Sequence, residues 1–197
     1  VTRRIEVRTS ADDRYFTDRF QGVPLEGYSV MARRMIAHPR IRVEAGTEYR
    51  AVLHRSLAPL LVWTGPLDLF FGYSLGRLPY RSLRFEHSHF PDISRFQEAA
   101  VINEPEETVP YTRTTEFRWI TGQRHSGTSI LREFPEPEGE PYYPVLGPEA
   151  VITAQRYRKL ARNERGVVFT GRLAQYRYLN MDQAVAESMA QVKRCLA

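Results

Sequence analysis

The chain has 197 residues, of which 42% are hydrophobic and 26% charged, a composition typical of a globular protein with a sizeable core. No apolar run approaches the roughly 20 residues that a membrane-spanning helix needs, and no signal-peptide pattern opens the sequence. We therefore expect no contact with a membrane. The single cysteine, Cys195, excludes an internal disulfide and fits a reducing compartment, so we expect a cytoplasmic protein. The sequence starts at Val1 rather than at methionine, which predicts a fragment or a processed product.

The formal net charge is +5, and arginine supplies most of it, since Lys159 and Lys193 are the only lysines. Guanidinium groups bind phosphate or carboxylate through two parallel hydrogen bonds, which suggests an anionic partner. A genome-wide preference for arginine would explain the same composition. A nucleic-acid-binding surface normally concentrates its cations, whereas these arginines are dispersed, so no nucleic-acid partner is expected.

The first third of the chain predicts a helix and two short strands. Ser29 can cap a helix whose apolar positions lie near one face and which stops before Pro39. Residues 41–45 alternate between apolar and charged side chains, which predicts a strand. The short apolar run at 60–63 predicts a buried strand.

The middle of the chain, from about 77 to 134, predicts an antiparallel sheet. Short runs of alternating polarity are separated there by proline or glycine, so one face of the sheet should be solvated. The predicted strands are 81–86, 99–103, 112–120 and 128–134. Residues 135–148 contain too many prolines for regular structure and predict a loop.

The C-terminal part returns to helices and strands. Pro148 and Glu149 suit the start of a helix, residues 167–169 predict a buried strand, and Asn180 with Gln183 has the spacing of a capping box that opens a final helix. The positions predicted to face the core are Val151, Ala154, Tyr157, Leu160 and Ala161 in the first helix, and Met181, Val185, Met189, Val192 and Leu196 in the second. The sequence therefore predicts two α/β pieces on either side of a β-rich insertion.

Common phosphate-binding motifs are missing from the sequence. It contains no G-x-G-x-x-G or G-x-x-x-x-G-K-[ST] phosphate loop. His87 and His89 flank Ser88 with Asp92 nearby, and these side chains could ligate a metal. Because no third cluster of strong ligands accompanies them, we favour solvated histidines and predict no metal site.

The run VPYTR, at 109–113, predicts by itself a strand with Arg113 on its solvated face. Together with other runs it resembles the UDP-galactopyranose mutases, the flavoenzymes that interconvert UDP-galactopyranose and UDP-galactofuranose. The matching runs are 14–28, 63–86, 100–103, 109–118, 132–145 and 171–183. They occur in the family's order and cover nearly the whole chain, so the sequence is identified as similar to about the C-terminal half of such an enzyme.

The resemblance implies a fold as well as a function. The expected class is α/β (mixed α+β), part of a discontinuous Rossmann-like FAD-binding domain with an inserted antiparallel β-sheet substrate domain. The implied division is 1–22 for a mobile-loop and substrate-contact segment, 23–72 for the middle segment of the FAD-binding domain, 73–147 for the substrate domain, and 148–197 for the C-terminal segment of the FAD-binding domain. The glycine-rich FAD-binding start of the family and its helical substrate-gating region have no counterpart in this sequence.

The implied activity is that of an isomerase. Reduced FAD attacks the anomeric carbon of the sugar through N5, an N5–sugar adduct forms and UDP leaves; Arg4 and Arg113 would be the catalytic arginines that neutralise the diphosphate. The implied substrate-binding residues are Tyr15, Asn103, Arg113, Glu133, Tyr143 and Tyr178. The implied cofactor-binding residues are Glu48, Tyr49, Arg172, Leu179, Asn180, Met181, Asp182 and Gln183. The family also suggests a homodimer, and a product that serves cell-wall or surface polysaccharide synthesis.

Three positions depart from the family pattern. Asn180 stands where aspartate is usual, Glu6 replaces a proline, and Thr170 replaces the first glycine of a Gly-Gly-Arg run. Thr170 would be strained only if its φ were positive.

Two other functions stay open at this point. The chain could be a non-catalytic fragment or domain that binds nucleotide-sugar weakly without holding FAD, and a flavin absorption spectrum of the purified chain distinguishes that case. A basic nucleic-acid-binding module would instead show a steeply salt-dependent affinity, although the dispersed arginines argue against it.

Overall fold

A computed structural model describes residues 18–49, 58–122 and 124–196. The described residues form two compact units. The first unit contains the described residues up to 45 together with 85–122 and 124–134, and the second contains 46–49, 58–84 and 135–196. None of the helices in these ranges combines the length and apolar character needed to cross a lipid bilayer.

The elements alternate between short helices and strands. In chain order they are α1 (Tyr28–Ile36), β1 (Leu61–Trp63), α2 (Leu67–Phe70), β2 (Tyr80–Phe90), β3 (Val101–Asn103), β4 (Arg113–Glu116), α3 (Phe117–Thr121), β5 (Thr128–Glu136), β6 (Tyr143–Pro144), α4 (Pro148–Asn163), β7 (Val167–Phe169) and α5 (Met181–Leu196). The chain is therefore mixed α/β, as predicted. The four-part domain division stays a prediction.

The predicted antiparallel sheet is confirmed. It has five strands in the order β3-β4-β5-β2-β6, and β3–β4, β4–β5 and β2–β6 pair antiparallel. The loop prediction for 135–148 is partly wrong, because β5 continues to Glu136 and Tyr143 pairs with Arg81 of β2. That pairing joins residues far apart in sequence, which the local proline content does not reveal.

The strand predicted over 112–120 is too long. β4 ends at Glu116, and α3 follows and stops at Gly122, whose φ of 66° gives a left-handed C-cap. The indole Nε1 of Trp119 donates to Glu116 Oε2 over 3.0 Å. A spacing of three residues lets two side chains meet on a helical turn, whereas they would point to opposite faces of a strand. This contact favours the helix over a continued strand.

The second unit packs around α4. Ala150, Ala154 and Tyr157 of this helix are buried in a cluster with Leu67, Leu78 and Tyr176. The predicted face is confirmed at Ala154 and Tyr157, whereas Leu160 is 37% exposed. The predicted strands at 60–63 and 167–169 form as β1 and β7, which pair in parallel with Trp63 opposite Phe169. Their predicted burial is wrong, because Leu60 and Val62 are 42% and 53% exposed and β7 is only half-buried.

Three predictions are wrong, two of them in the first quarter of the chain and one in its last helix. Gly27, rather than Ser29, is the N-cap of α1 and makes no side-chain cap bond. Residues 41–45 form no strand; Val43 is 58% exposed, and no described strand lies alongside to satisfy their backbone groups. The apolar stripe of α5 does not face the core either.

The exposed stripe of α5 consists of Met181, Val185, Met189 and Val192, each more than half exposed. The half-buried face of this helix is instead the mainly polar one, with Ala184, Glu187, Ser188 and Gln191. Ser188 Oγ lies 3.3 Å from Thr170 Oγ1, and Glu187 forms an ion pair with Arg177. Periodicity predicted the stripe correctly but could not say which face the described residues would cover.

Candidate functional site

One row of three side chains, Asn103, Arg113 and Glu133, crosses the strands β3, β4 and β5 of the first unit. Asn103 of β3 lies opposite Arg113 of β4, and Arg113 lies opposite Glu133 of β5. Side chains directly opposite one another on antiparallel strands share a face of the sheet. Arg113 Nε donates to Asn103 Oδ1 over 3.0 Å, and Arg113 Nη1 lies 3.7 Å from Glu133 Oε1. The sheet thus brings together three of the residues that the sequence nominated.

The row leaves Arg113 available to a ligand. Its side chain is 40% exposed, whereas that of Glu133 is only 14% exposed. A guanidinium has five N–H donors, and contacts through Nε and Nη1 do not use all of them. An arginine held from both sides on a strand can present the remaining donors to an anionic group such as a diphosphate.

Glu116, at the end of the same strand, is a buried carboxylate that sequence reasoning missed. It is fully buried, and each of its oxygens accepts two hydrogen bonds. Oε1 accepts from Thr128 Oγ1 (2.6 Å) and Phe96 N (3.0 Å); Oε2 accepts from Gln97 N and Trp119 Nε1 (both 3.0 Å). Burial acts to raise the pKa of Glu116, but these four bonds outweigh it and hold the pKa below its usual value. Glu116 therefore ties the segment at 96–97 to β4 and β5.

Two tyrosines and an arginine form a second cluster, within the second unit. The rings of Tyr143 and Tyr178 stack with centroids 5.8 Å apart and an interplanar angle of 14°. The guanidinium carbon of Arg172 lies 5.2 Å from the centroid of Tyr143 and 4.9 Å from that of Tyr178. Arg172 also donates to the carbonyl oxygens of Leu179 (Nε, 3.1 Å) and Tyr142 (Nη1, 3.3 Å). These bonds hold the loop before α5 next to Tyr142, the residue that precedes β6.

The start of α5 confirms half of the predicted capping box. The Asn180 amide donates to Gln183 Oε1 over 2.9 Å, as a residue at the third helical position does in such a box. The first helical bond runs from the amide of Ala184 to the carbonyl of Asn180. The backbone amides of 181–183 thus precede the helical ladder and point out of its N-terminal end.

Thr170 adopts an unstrained conformation. Among the described non-glycine residues, positive φ values occur at Tyr73 (60°) and Tyr176 (48°) and not at Thr170. Its amide donates to the carbonyl of Trp63 over 3.1 Å, and the following Gly171 has a φ of 90°. The threonine at this position is therefore compatible with the local backbone.

A comparison with known families decides what kind of chain this is. The family model described as UDP-galactopyranose mutase matches residues 1–178. The chain belongs to the UDP-galactopyranose mutase family. The resemblance drawn from the sequence runs is thus confirmed over nine-tenths of its length.

Three curated relatives in or near this family show similar identities. The chain is 36% identical over 193 residues to a probable UDP-galactopyranose mutase of Klebsiella pneumoniae, covering 96% of this chain and 50% of the relative. It is 35% identical over 198 residues to a dTDP-fucopyranose mutase of Escherichia coli, covering 96% and 52%. It is 31% identical over 215 residues to the UDP-galactopyranose mutase of Mycoplasma pneumoniae, covering 100% and 53%. The chain therefore spans about half the length of the curated relatives it matches.

The remaining nominated residues of this mutase-family chain fall in different places. Arg4 and Tyr15 lie outside the described residues. Tyr49, beside Glu48, packs its ring against Trp63 at 5.0 Å. Leu179 is buried, whereas Asn180, Met181, Asp182 and Gln183 are exposed at the start of α5. The catalytic role of Arg4, the substrate contact of Tyr15 and the FAD contacts of the other residues stay predictions.

The histidine pair lies in ordinary surroundings. His87 stacks on Phe117 with centroids 6.1 Å apart, and His89 Nδ1 lies 2.9 Å from Ser129 Oγ. Both histidines are exposed, in agreement with the predicted solvated side chains.

Proposed function

We propose that this chain carries the substrate-binding half of a flavin-dependent UDP-galactopyranose mutase, which interconverts UDP-galactopyranose and UDP-galactofuranose. Family membership supports the reaction class. The observation that carries the proposal is the row at Arg113, where a half-exposed guanidinium is held by Asn103 and Glu133. A preorganised cation of this kind stabilises the charge that develops on a departing diphosphate.

Each residue of the row has a distinct role in the proposal. Arg113 binds the diphosphate of UDP while the bond to the anomeric carbon breaks and again when it re-forms. Asn103 binds the nucleotide-sugar and orients Arg113 through the 3.0 Å bond to Nε. Glu133 lies near the sugar. Arg4, the second catalytic arginine, and Tyr15 would act on the same diphosphate.

In the second unit, we propose that Tyr143 and Tyr178 hydrogen-bond diphosphate. A tyrosine hydroxyl donates a hydrogen bond to phosphate oxygen while its ring excludes water from one side. Arg172 adds positive charge behind both rings at 5.2 and 4.9 Å. The stacked pair therefore suits an anionic ligand better than an apolar one.

The chemistry of the start of α5 suits FAD. We therefore propose that this part of the chain contributes to a Rossmann-like FAD-binding domain. The outward amides of 181–183 can bind an anionic phosphate or the polar edge of the flavin, and Leu179 and Asn180 lead into them. Arg172, Glu48 and Tyr49 would contribute further contacts. When bound and reduced, FAD supplies the nitrogen nucleophile of the reaction.

A chimera tests the proposal directly. This chain replaces the matching half of the Klebsiella pneumoniae relative, and conversion of UDP-galactopyranose by the reduced protein is followed by chromatography. Arg113→Ala should lower turnover about 100- to 1,000-fold, the loss typical of one charge-stabilising donor, while the flavin absorption spectrum is retained. Arg95→Ala removes an arginine that pairs with Glu98 in the same unit, and it should change turnover less than twofold. Near-normal turnover of Arg113→Ala would refute the role.

The second candidate is a dTDP-fucopyranose mutase. The observation that favours it is the 35% identity to the Escherichia coli enzyme, which differs by one percentage point from the 36% identity to the Klebsiella relative. Offering the chimera both nucleotide-sugars in competition decides between them, and faster conversion of dTDP-fucopyranose would replace the first proposal. A homodimer and a cytoplasmic location stay predictions.

A further inference from the structure

We infer that Tyr176 is a positioning residue, whose hydroxyl holds the stacked rings of Tyr143 and Tyr178 in register. What the ring pair does, which is to bind diphosphate, rests on the proposed function. Nothing in the sequence pattern distinguishes this tyrosine from its neighbours.

The contacts of Tyr176 join two segments that are distant in sequence. The side chain is 1% exposed, and its hydroxyl lies 2.7 Å from the carbonyl oxygen of Pro79 and 2.9 Å from that of Val145. Val145 follows Tyr143 by two residues, and Tyr176 precedes Tyr178 by two. One buried hydroxyl therefore links the segment that carries the first ring to the segment that carries the second.

Arg172 makes the complementary link on the other side of the pair. Its guanidinium bonds the carbonyls of Tyr142 and Leu179, which are the residues next to the two rings. Tyr143 is thus flanked by two fixed carbonyls, those of Tyr142 and Val145. Both are held by side chains from the loop that carries Tyr178.

The backbone at Tyr176 is itself constrained. Its φ of 48° lies in the left-handed region, which a residue with a side chain occupies only where its surroundings enforce it. Arg158 Nη2 donates to the carbonyls of Gln175 (2.8 Å) and Tyr176 (3.1 Å), and the Tyr176 ring packs edge-on against Tyr80 at 5.2 Å. The turn that precedes Tyr178 therefore has little conformational freedom.

The Tyr176 hydroxyl is a permanent donor at neutral pH. Burial raises the pKa of Tyr176 to about 12, and the hydrogen bond to Val145 only partly opposes this. The proton is thus retained over the range in which the protein would work. Removal of the hydroxyl by Tyr176→Phe keeps the ring and its packing but takes away the one O–H proton that the two carbonyls share.

Tyr157 provides a matched control within the same unit. It is also fully buried, and its hydroxyl donates to the carbonyl of Gly76 (2.7 Å) and accepts from the amide of Leu75 (2.8 Å). Tyr157→Phe therefore removes a buried hydroxyl with two partners from the same hydrophobic cluster. It touches neither segment of the ring pair through that hydroxyl.

The test is the nuclear Overhauser effect between the two rings in the full chain, with resonances assigned through Tyr143→Phe and Tyr178→Phe. We expect the effect in the unsubstituted chain and in Tyr157→Phe, and a loss of at least half its intensity in Tyr176→Phe. Undiminished intensity in Tyr176→Phe, or an equal loss in Tyr157→Phe, overturns the inference. Unfolding of Tyr176→Phe also overturns it, because the hydroxyl would then be a general stability element.

Binding of UDP, measured by titration calorimetry on the same proteins, separates the inference from the proposed function. Loss of one buried hydrogen bond should weaken binding about three- to tenfold in Tyr176→Phe, with less than a twofold change in Tyr157→Phe. If the rings separate while UDP affinity is unchanged, positioning by Tyr176 stands and the proposed diphosphate role of the pair is refuted. If affinity falls while the rings stay in place, positioning is refuted and the diphosphate role stands.

Discussion

The four-bonded carboxylate of Glu116 makes Glu116→Gln the most informative substitution for stability. Glutamine has nearly the same shape, so it leaves no cavity, but it replaces one carboxylate oxygen by an NH2 group. Each oxygen of Glu116 accepts from two donors. In either orientation of the amide, the new NH2 group therefore faces two groups that donate to the carboxylate, and it cannot form a hydrogen bond with those that are N–H groups.

The less costly orientation can be identified from the partners. Toward Gln97 and Trp119 both donors are N–H groups, which cannot accept. Toward Thr128 and Phe96 one partner is a hydroxyl, which can rotate and accept, so only the Phe96 amide loses its bond. One buried unpaired amide and the loss of charge from the remaining bonds should lower the free energy of unfolding by about 3 kcal/mol.

Urea denaturation of the full chain, followed by the fluorescence of Trp119 against a Trp119→Phe reference, measures this loss. Glu98→Gln is the matched control, because the Glu98 side chain is 82% exposed and should contribute less than about 0.5 kcal/mol. A loss below about 1 kcal/mol in Glu116→Gln would refute the reasoning, since the four bonds would then contribute little net stability.

The pH dependence has a definite sign. The pKa of Glu116 is lower in the folded chain than in the unfolded one, so the native state favours the charged form. The stabilisation is complete above the unfolded pKa of about 4.3 and is lost as the pH falls through the lower folded value. The difference between the unsubstituted chain and Glu116→Gln should therefore be constant near neutrality and shrink below about pH 4.

Two further predictions concern other parts of the chain. Gly166→Ala should cost about 2–3 kcal/mol, because its φ is 73° and the new Cβ would lie 2.9 Å from the carbonyl oxygen of Pro59, whereas Gly171→Ala, with a φ of 90° and open space, should cost only about 1 kcal/mol. Equal losses in thermal or urea unfolding would contradict this ranking. Val185→Lys, on the exposed stripe of α5, should change the free energy of unfolding of this chain by less than about 0.5 kcal/mol. A loss above about 1 kcal/mol would show that the stripe is packed.

Local patterns predicted most of the sheet and the three longest helices, α1, α4 and α5. The strand at 128–134 and the helix opening at Pro148 follow from alternation and from proline at the first helical position, which act over a few residues. Arg113 was correctly assigned to a strand, and the neighbours Asn103 and Glu133 were nominated, but only the register could place the three in one row. Register depends on pairing between distant strands and is not encoded in any one of them.

The missed residues are those whose partners are distant in sequence. Glu116 differs from an ordinary surface glutamate only by alternating with buried Thr114 on β4, a weak signal for burial. Tyr176 acts through the carbonyls of Pro79 and Val145, which no local motif specifies. For α5 the helical period was correct, yet the covered face depends on what packs against it, and the described residues cover the polar side.

The row at Asn103, Arg113 and Glu133 also restricts where residues can be inserted into the chain. An insertion in the turn at 105–108 lengthens a connection and leaves all three residues opposite one another. An insertion of one residue directly after Arg113, with the pairing of 114–116 kept, would turn the Arg113 side chain to the other face of the sheet and away from both neighbours. Length variation among natural or engineered versions of this chain should therefore be tolerated between the strands and eliminated within them.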